Sequence, residues 1–245
     1  MKSRLMQAAL AGLCLAVVAA APAGFTLNND TRPAGDVARD VNRKPLEMVA
    51  FAKIMPGQTV VDILPGAGYF TRVFAQAVGP KGKVMAQIPT QFAERFPKSV
   101  TELQALPRQP GYAHVEVVVR GLGDVGAPGT VDRVWTAQNY HDLHSAKLPA
   151  DTTAQINKAV FAALKPGGYY IVLDHSAQAG SGIRDVDTRH RIDPAVVRAE
   201  VTAAGFIYDG ESNVLANPAD DHTTFVFDPA IRGKTDQFVY RFVKP

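Results

Sequence analysis

Cysteine is almost absent from this chain. Among its 245 residues the single cysteine is Cys14, which lies inside an apolar run near the N-terminus. Loss of that run on processing would leave a chain without any thiol. A disulfide framework, a thiol nucleophile and a cysteine-ligated metal site are therefore excluded from such a mature protein.

Two common catalytic signatures and any block of positive charge are missing as well. The sequence contains no G-x-x-x-x-G-K phosphate-binding loop and no G-x-S-x-G nucleophile elbow, which argues against nucleotide triphosphatases and serine esterases. The formal net charge is +3, and it falls to +1 without Lys2 and Arg4 of the N-terminal run. Since nucleic-acid binding depends on clustered cations, no nucleic-acid partner is expected.

The N-terminal run has the pattern of a secretory signal peptide. A basic start is followed by a stretch without polar side chains from Ala8 to Ala21, and small residues end it at Ala21-Pro22-Ala23. This pattern predicts a signal peptide over residues 1–23 and a periplasmic mature protein without stable membrane insertion. An uncleaved anchor is the alternative, because the apolar run approaches the roughly 17–25 residues that span a bilayer, but its small residues favour cleavage.

The rest of the chain, residues 24–245, is predicted to form a single α/β domain, because it has neither internal repeats nor a linker that would separate two cores. Strand-like and helix-like segments alternate, which is typical of βαβ units, and the last two strand-like segments are expected to form an antiparallel pair on a mostly parallel sheet. The predicted helices are Pro45–Met55, Tyr69–Val78, a proline-interrupted stretch Gln91–Leu106, Ala150–Leu164 and Pro194–Ala204. The predicted strands are Thr59–Leu64, Lys83–Ile88, His114–Arg120, Asp132–Gln138, Tyr169–Asp174, Phe206–Leu215 and Phe238–Val243.

A glycine turn follows the first predicted strand, where Val60–Leu64 leads into Pro65-Gly66-Ala67-Gly68 and then a helix. Glycine permits close approach of a ligand to the backbone, and the helix N-terminus offers free N–H groups to a polar or anionic ligand part. A G-x-G pattern alone is also met in ordinary strand-to-helix turns. The interpretation of this turn therefore depends on the motifs elsewhere in the chain.

Those further motifs give a resemblance. With Asp132 opening the fourth strand and Leu164-Lys165-Pro166-Gly167-Gly168 preceding the fifth, the chain resembles the class I S-adenosylmethionine (SAM)-dependent methyltransferases over about residues 45–245. More narrowly, it resembles a group of predicted exported bacterial methyltransferases. The motifs that carry the narrower resemblance are Pro65-Gly66-Ala67-Gly68-Tyr69, Asn139-Tyr140-His141-Asp142, His190-Arg191-Ile192-Asp193, Asn217-Pro218-Ala219-Asp220-Asp221 and the run from Phe227 to Asp236.

The resemblance implies a fold and a cofactor. The fold is a Rossmann-like, doubly wound α/β sheet of seven strands, mostly parallel with one antiparallel C-terminal strand, and the cofactor is SAM. The methionine end of SAM would lie over Gly66 and Gly68, and Asp62 would orient the turn or the cofactor's amino group. Asn139 is grouped with these three as a cofactor-binding residue.

The chain departs from the family pattern at two cofactor positions. Leu64 stands where the first glycine of the turn is usual, and the acidic residue that would bind both ribose hydroxyls falls on Gln87 or Ile88. A neutral Gln87 can bond one hydroxyl, but charge-assisted bonds are roughly twice as strong, so weaker binding is expected. Asp124 fits the position that often contacts adenine, although an ordinary loop aspartate is an equal alternative.

The segment after the fourth strand is the candidate catalytic site. It contains Tyr140, His141 and Asp142, and His141 is the expected base because an imidazole pKa near 6.5 suits proton transfer at neutral pH. Either Asp142 or Asp174 would orient it. His175 at the end of the fifth strand and His190 after a glycine-rich loop are the reserves for the same role. The alternative for Asn139 and Tyr140 is that they only satisfy buried polar groups.

A metal-dependent mechanism is the competing interpretation of these side chains. The available ligands are His141, Asp142, His144, Asp174, His175 and His190. Their spacing does not define a tetrahedral site, because His-x-x-His lacks the glutamate and the helix of a zincin. The sequence therefore predicts no metal site.

The leading hypothesis is a SAM-dependent methyltransferase that modifies an oxygen, nitrogen or sulfur atom of a small molecule in the periplasm. SAM is made in the cytosol, so two alternatives stay open. One is a non-methylating periplasmic protein that binds SAM or a related ligand, and the other is a lyase or hydrolase on the same fold. The sequence identifies neither the acceptor nor the oligomeric state.

Overall fold

A seven-stranded mixed sheet organises the computed structural model, which describes residues 24–245. Its strands are β1 (Thr59–Ile63), β2 (Lys83–Pro89), β3 (Val115–Arg120), β4 (Val131–Ala137), β5 (Leu164–His175), β6 (Ile207–Ser212) and β7 (Gln237–Val243). The order across the sheet is β3-β2-β1-β4-β5-β7-β6. Strands β1 to β5 are paired in parallel, and β7 runs antiparallel to both β5 and β6. The predicted Rossmann-like α/β fold, with one antiparallel C-terminal strand, is confirmed.

Helices cover both faces of the sheet. They are α1 (Ala34–Val37), α2 (Asp40–Arg43), α3 (Pro45–Phe51), α4 (Tyr69–Val78), α5 (Thr90–Arg95), α6 (Pro97–Gln104), α7 (Thr152–Ala163), α8 (Val186–Arg189) and α9 (Pro194–Ala203). Because successive strand side chains point to opposite faces, Val60 joins a core with α3, α4 and α6, whereas Val61 joins a second core with α7 and α9. The sheet therefore has an apolar layer on each side.

Helix α4 shows why the local sequence folds as predicted. Phe70, Val73, Phe74 and Ala77 recur at helical spacing and are all buried against the sheet. The helix ends at Val78. The next residue, Gly79, has a positive φ of 63°, which suits a glycine, and its N–H donates to the carbonyl of Ala75. Its bounds agree with the prediction.

Other boundaries differ from the predicted ones. The proline-interrupted stretch divides into α5 and α6 at Phe96, because the residue before a proline is disfavoured in the helical region. Strand β5 begins at Leu164 instead of Tyr169, because Leu164 pairs with Val131 ahead of an irregularity in the β4 register. Helix α3 ends at Phe51, four residues before the predicted end, and Lys53 beyond it has a positive φ of 50°.

The carboxyl ends of β1, β2, β4 and β5 meet at one edge of the sheet, as the parallel pairing requires. Between β6 and β7 lies a long loop, residues 213–236, without helix or strand. Within residues 24–245 no helix has the length and apolar character needed to cross a membrane. The predicted signal peptide, residues 1–23, lies outside the described residues.

Candidate active site

A cavity of about 380 Å³ opens where the carboxyl ends of β1, β2 and β4 meet. Its volume is within the roughly 300–1,000 Å³ typical of small-molecule sites. Four parts of the chain line it: an N-terminal segment (Arg39, Arg43), β1 with its turn and α4 (Asp62, Leu64, Pro65, Gly66, Ala67, Tyr69, Phe70), β2 with the residues after it (Ile88, Phe92, Phe96, Ser99, Val100), and β4 with the residues after it (Ala137, Gln138, Asn139, Asp142).

The residues of the turn after β1 have different roles. Leu64 has a φ of +55°, so the position where a glycine is usual keeps a glycine-type backbone although it carries a side chain. Gly66 lines the cavity, and a Cβ added there would meet only open space. A Cβ on Gly68 would overlap Cδ1 of Leu103. Gly66 is thus placed to face a ligand, whereas Gly68 permits α4 to pack against α6.

Asp62 is a fully buried carboxylate that lines the cavity. Its Oδ2 accepts a hydrogen bond of 2.6 Å from the Thr71 hydroxyl. Burial raises the pKa of Asp62 to about 7, and the opposing effects of Thr71, Arg43 and Arg72 do not cancel this rise. A cationic ligand group at this place would therefore stabilise the ionised form of Asp62.

Arg43, on α2, contributes a cation to the same cavity. Its Nη2 donates a 2.9 Å bond to Oε1 of Gln138, and its guanidinium lies 4.7 Å from the centre of the Tyr69 ring. Gln138 in turn donates to Oε1 of Gln237 on β7. Burial lowers the pKa of Arg43 below its usual value. This chain of contacts fixes the N-terminal segment over the strand ends.

The second strand contributes no carboxylate to the cavity. Ile88 lines it, whereas Gln87 is buried on the other face of β2, with its Nε2 donating to the carbonyl of Gly121 at 3.1 Å. The Oε1 atom of Gln87 has no hydrogen-bond partner among residues 24–245. Asp124 is exposed, 3.4 Å from Nη1 of Arg120, and does not line the cavity.

The two residues after Gln138 satisfy polar groups of the fold. Asn139 lines the cavity, but its Nδ2 donates to the carbonyls of Leu64 and Ala137, both at 3.0 Å, and its Oδ1 accepts from Thr136. Tyr140 is buried in the core. Its hydroxyl donates to Glu200 at 3.0 Å and accepts from Nδ2 of another buried side chain, Asn157. Burial raises the pKa of Tyr140, which does not reach the cavity.

Four side chains form a cluster at the cavity rim, called here the histidine cluster: His141, Asp142, Asp174 and His190. Asp174 is fully buried and receives the backbone N–H of His141, while its Oδ1 lies 2.8 Å from Nδ1 of the same ring. Because a carboxylate only accepts, Nδ1 of His141 carries a proton. Nε2 of His141 lies 3.0 Å from Nδ1 of His190. Asp142 lies beside both rings and lines the cavity.

The surroundings shift the acidities of this cluster. Burial lowers the pKa of His141, but the charge and hydrogen bond of Asp174 outweigh it and raise that pKa overall. Burial raises the pKa of Asp142. Burial and the neighbouring His141 lower the pKa of His190. The histidine cluster thus holds two carboxylates and two imidazoles close together in a region that is partly shielded from solvent.

His190 and His175 occupy different environments. His190 has a φ of +54°, and its ring packs against Phe225 and Phe227, with ring centres 5.5 and 5.3 Å away. The two phenylalanines are 42% and 48% exposed, so they form an open aromatic surface beside the cluster. His175 is buried, and its Nδ1 is 2.7 Å from the Thr235 hydroxyl. Burial lowers the pKa of His175 to about 4.

Three of the motifs behind the narrower resemblance form one hydrogen-bonded unit. Arg191, which follows His190, makes a buried ion pair with Asp220, with Nη1 and Oδ2 2.9 Å apart. Asp220 also accepts the backbone N–H of Asp236 at 2.7 Å. Asp236 accepts the backbone N–H of Asn217 at 2.8 Å. These bonds attach the long loop 213–236 to the segment that presents His190.

The predicted site residues therefore fall into three groups. Asp62, Gly66, Asn139 and Asp142 line the cavity. His141 and His190 lie next to Asp142 at its rim. The remaining five, Gly68, Gln87, Asp124, Tyr140 and His175, do not line it. This placement changes the role expected of His141, because its buried ring, with Asp174 and His190 beside its two nitrogens, does not face the cavity and is not placed to contact an organic acceptor directly.

Sequence reasoning missed two arginines and two phenylalanines that line the cavity. The arginines are Arg39 and Arg43, in the N-terminal segment, and the phenylalanines are Phe92 and Phe96, after β2. Arg39 and Arg43 precede the first predicted helix, and nothing local shows that this segment folds over the strand ends. Phe92 and Phe96 belong to a predicted helical stretch, where aromatic residues are ordinary packing residues. Their position after β2, at the carboxyl edge, was the only signal available.

No protein-family model matches the sequence, and no curated protein matches it. Solved structures do resemble it. A SAM-dependent methyltransferase from Aquifex aeolicus matches with a TM-score of 0.62 and 18% identity, covering 90% of this chain and 100% of that one. A putative methyltransferase from Haloferax volcanii, in complex with its activator Trm112, gives 0.58 and 16%, covering 88% and 96%. The cyclase SpnF gives 0.59 and 15%, covering 89% and 85%.

These likenesses establish a fold. At such low identities they do not transfer an activity, and the cyclase shows that proteins of this fold carry more than one kind of reaction. The chain adopts the fold of the class I SAM-dependent methyltransferases.

Proposed function

We propose that the chain is a SAM-dependent methyltransferase that acts in the periplasm on a small molecule with an apolar, planar part. The observation that carries the proposal is that Asp62 and Arg43 line the same cavity, at the carboxyl edge of the sheet. The methionine end of SAM is a zwitterion. Its ammonium group suits the Asp62 carboxylate, and its carboxylate suits the Arg43 guanidinium.

The rest of the cavity fits an adenosine in part. Ile88, Phe92, Phe96 and Val100 form an apolar and aromatic wall suited to a purine ring. A carboxylate for the ribose hydroxyls is absent from the lining, since Ile88 occupies that place. We therefore expect SAM to bind, but more weakly than where a carboxylate accepts from the ribose.

SAM, when bound, supplies the methyl group on its sulfonium sulfur. Asp62, Gly66 and Arg43 bind and orient the cofactor, and the histidine cluster stands on the acceptor side of the cavity. Phe225 and Phe227 would pack against the apolar part of the acceptor and hold its nucleophilic atom beside His190. The cluster promotes loss of the acceptor's proton, with His141 as a positioning residue between Asp174 and His190.

Export is part of this proposal and rests on the pattern of residues 1–23. The alternative, a periplasmic protein that binds SAM or a related ligand without methylating anything, is supported by the missing ribose carboxylate and by the cytosolic origin of SAM. Binding measurements and methyl transfer together separate the two.

The test combines titration with SAM and its demethylated product and transfer of label from methyl-labelled SAM to a periplasmic extract. We expect SAM binding and a labelled small molecule. His190→Gln should keep SAM affinity within about twofold and reduce transfer by about 10²–10⁴-fold. His144→Gln is the matched control, because His144 bonds Glu200 outside the cluster. SAM binding without any transfer would instead establish the non-methylating alternative.

A further inference from the structure

We infer that the histidine cluster binds one divalent transition-metal ion through Nε2 of His141, Nδ1 of His190 and a carboxylate oxygen of Asp142. The metal site itself does not depend on methyl transfer. Only the catalytic role of the ion rests on the proposed function. The inference departs from the metal-free mechanism that the sequence favoured.

The three ligand atoms have the separations of a metal site. Nε2 of His141 lies 3.0 Å from Nδ1 of His190 and 3.5 Å from Oδ1 of Asp142, and the third side of the triangle is 3.6 Å. Ligand atoms at about 2.0–2.1 Å from a tetrahedral zinc ion are themselves about 3.3 Å apart. A circle through the three atoms has a radius of about 2.0 Å, so an ion at normal bond length fits with little movement of the side chains.

Hydrogen bonding within the protein does not account for Asp142. Its Oδ1 is 3.5 and 3.6 Å from the two ring nitrogens, beyond the usual limit for a hydrogen bond. The Asp142 side chain is about 30% exposed, and we find no hydrogen bond to it from residues 24–245. A half-buried carboxylate beside two imidazoles, without a bonded partner, is a group that a cation would satisfy.

Asp174 prepares His141 as a ligand. It accepts from Nδ1 and thereby leaves the lone pair on Nε2, the atom that belongs to the triangle. Carboxylate–histidine pairs of this kind orient metal-binding imidazoles and make them more basic. The Asp174 side chain is fully buried and also receives two backbone N–H groups, from His141 and His175, so its position is rigid.

Neighbouring residues hold the backbone of His190 in an unfavourable conformation. Its left-handed backbone is unfavourable for a residue with a side chain, and such strain clusters at functional sites. The next residue, Arg191, fixes this backbone through the buried ion pair with Asp220. Phe225 and Phe227 cover one side of the imidazole. The fold therefore maintains the ring position that completes the triangle.

The donor set indicates the class of ion. Two imidazole nitrogens and one carboxylate oxygen suit Zn²⁺, Fe²⁺ or Co²⁺ and are less suited to Mg²⁺ or Ca²⁺, which prefer oxygen ligands. Three protein ligands leave at least one coordination position open, as in catalytic sites. Because Asp142 also lines the cavity, that position is near the place proposed for the acceptor.

On the proposed function, the ion would take the nucleophilic atom of the acceptor as a further ligand and ease the loss of its proton to water. The freed electron pair then forms the bond to the methyl carbon, while the carbon–sulfur bond breaks and its pair stays on sulfur. The transfer consumes no oxidant or reductant.

The experiment measures metal binding on the chelator-treated full-length protein without SAM. We expect one Zn²⁺ per chain in competition with a chromophoric chelator, and Co²⁺ should give a visible ligand-field spectrum with two nitrogen donors. His190→Ala and Asp142→Asn should each weaken Zn²⁺ binding by more than about 100-fold, and Asp174→Asn by about 10–100-fold, the range for residues that orient a ligand. His144→Gln should bind as the wild type does.

Two results would overturn the inference: a folded wild-type protein that takes up no stoichiometric Zn²⁺ or Co²⁺, or His190→Ala and Asp142→Asn variants with wild-type affinity. Asp142→Asn keeps the side-chain shape and guards against a folding failure of His190→Ala. SAM titration of the same samples keeps the two proposals apart, since absent metal binding with intact SAM binding contradicts only the metal site.

Discussion

Two opposing effects act on the charge of Asp62. Burial at the end of β1 destabilises its charge, and the nearby Thr71, Arg43 and Arg72 only partly restore it, so its pKa rises to about 7. An acid with a raised pKa in the folded state contributes a stability that is lost as the pH increases from about 4 to about 7. A ligand with a positively charged group would offset this loss of stability when it binds.

The first prediction concerns the pH dependence of SAM binding. Because the ammonium group of SAM favours ionised Asp62, SAM affinity should fall as the pH decreases from 8 through about 7 to 6. Asp62→Asn should bind SAM weakly and without this pH dependence, while its thermal stability at pH 8 stays equal to or above that of the wild type. Calorimetric titration across this pH range checks both. An unchanged pH profile in the variant contradicts the role of Asp62.

The second prediction separates the two glycines of the turn. Gly66→Ala adds a methyl group in the open cavity, so we expect loss of SAM affinity and a stability cost of about 1–2 kcal/mol for the left-handed backbone. Gly68→Ala incurs the same backbone cost and also overlaps Leu103, which adds about 1–3 kcal/mol. Urea unfolding and SAM titration of both variants provide the test. Equal stability of the two variants would show that the packing of Gly68 is unimportant.

Among residues 24–245, the long loop 213–236 is the longest segment without helix or strand. Loops of this length in a compact domain are usually either functional or disordered. Here the buried pair of Arg191 and Asp220 attaches the loop to the segment before α9 and brings Phe225 and Phe227 against His190. The loop is thereby part of the candidate site.

The third prediction tests this attachment. Arg191→Met leaves Asp220 charged and buried without its partner, which should destabilise the protein by about 3–5 kcal/mol. The double variant Arg191→Met with Asp220→Leu removes both charges and should recover much of that loss. Urea unfolding of the two variants and the wild type measures this. A double variant as unstable as the single one would mean that the backbone contacts of Asp220, and not the ion pair, hold the loop.

Element boundaries show where local sequence suffices. Helix α4 has its apolar positions, its starting glycine turn and its terminal Gly79 all within the segment, so its bounds were predictable. The start of β5 at Leu164 was not, because it depends on a pairing with Val131 that only the assembled sheet provides.

The strand order β3-β2-β1-β4-β5-β7-β6 determines which segments of the chain lie next to one another. It places the ends of β1 and β4 side by side, so that Asp62 and Asp142 line one cavity. It also places β5 next to β4, so that Asp174 reaches the backbone and ring of His141. The site is therefore a consequence of topology as much as of residue type.

The fourth prediction concerns the whole chain in its native host. The basic start, the apolar run and the Ala-Pro-Ala end predict cleavage near Ala23. The protein purified from the periplasmic fraction should therefore have a mass that corresponds to an N-terminus close to Gly24. Intact-mass spectrometry checks this, and an intact Met1 would contradict the predicted processing.

The alternation of strands and helices, the glycine turn and the chemical types in the candidate site were predictable, because apolar periodicity and turn residues act over a few neighbours. Which of those residues meet depends on the packing of segments that are distant in the chain. Gln87 and Ile88 were both open for the ribose position, and the pleat of β2 turned Ile88 to the cavity and Gln87 away. Likewise, His141 was a candidate base by its type and position, but contacts with Asp174 and His190, distant in sequence, engage both ring nitrogens. Such contacts depend on the packing of separate strands and loops, which no local pattern contains.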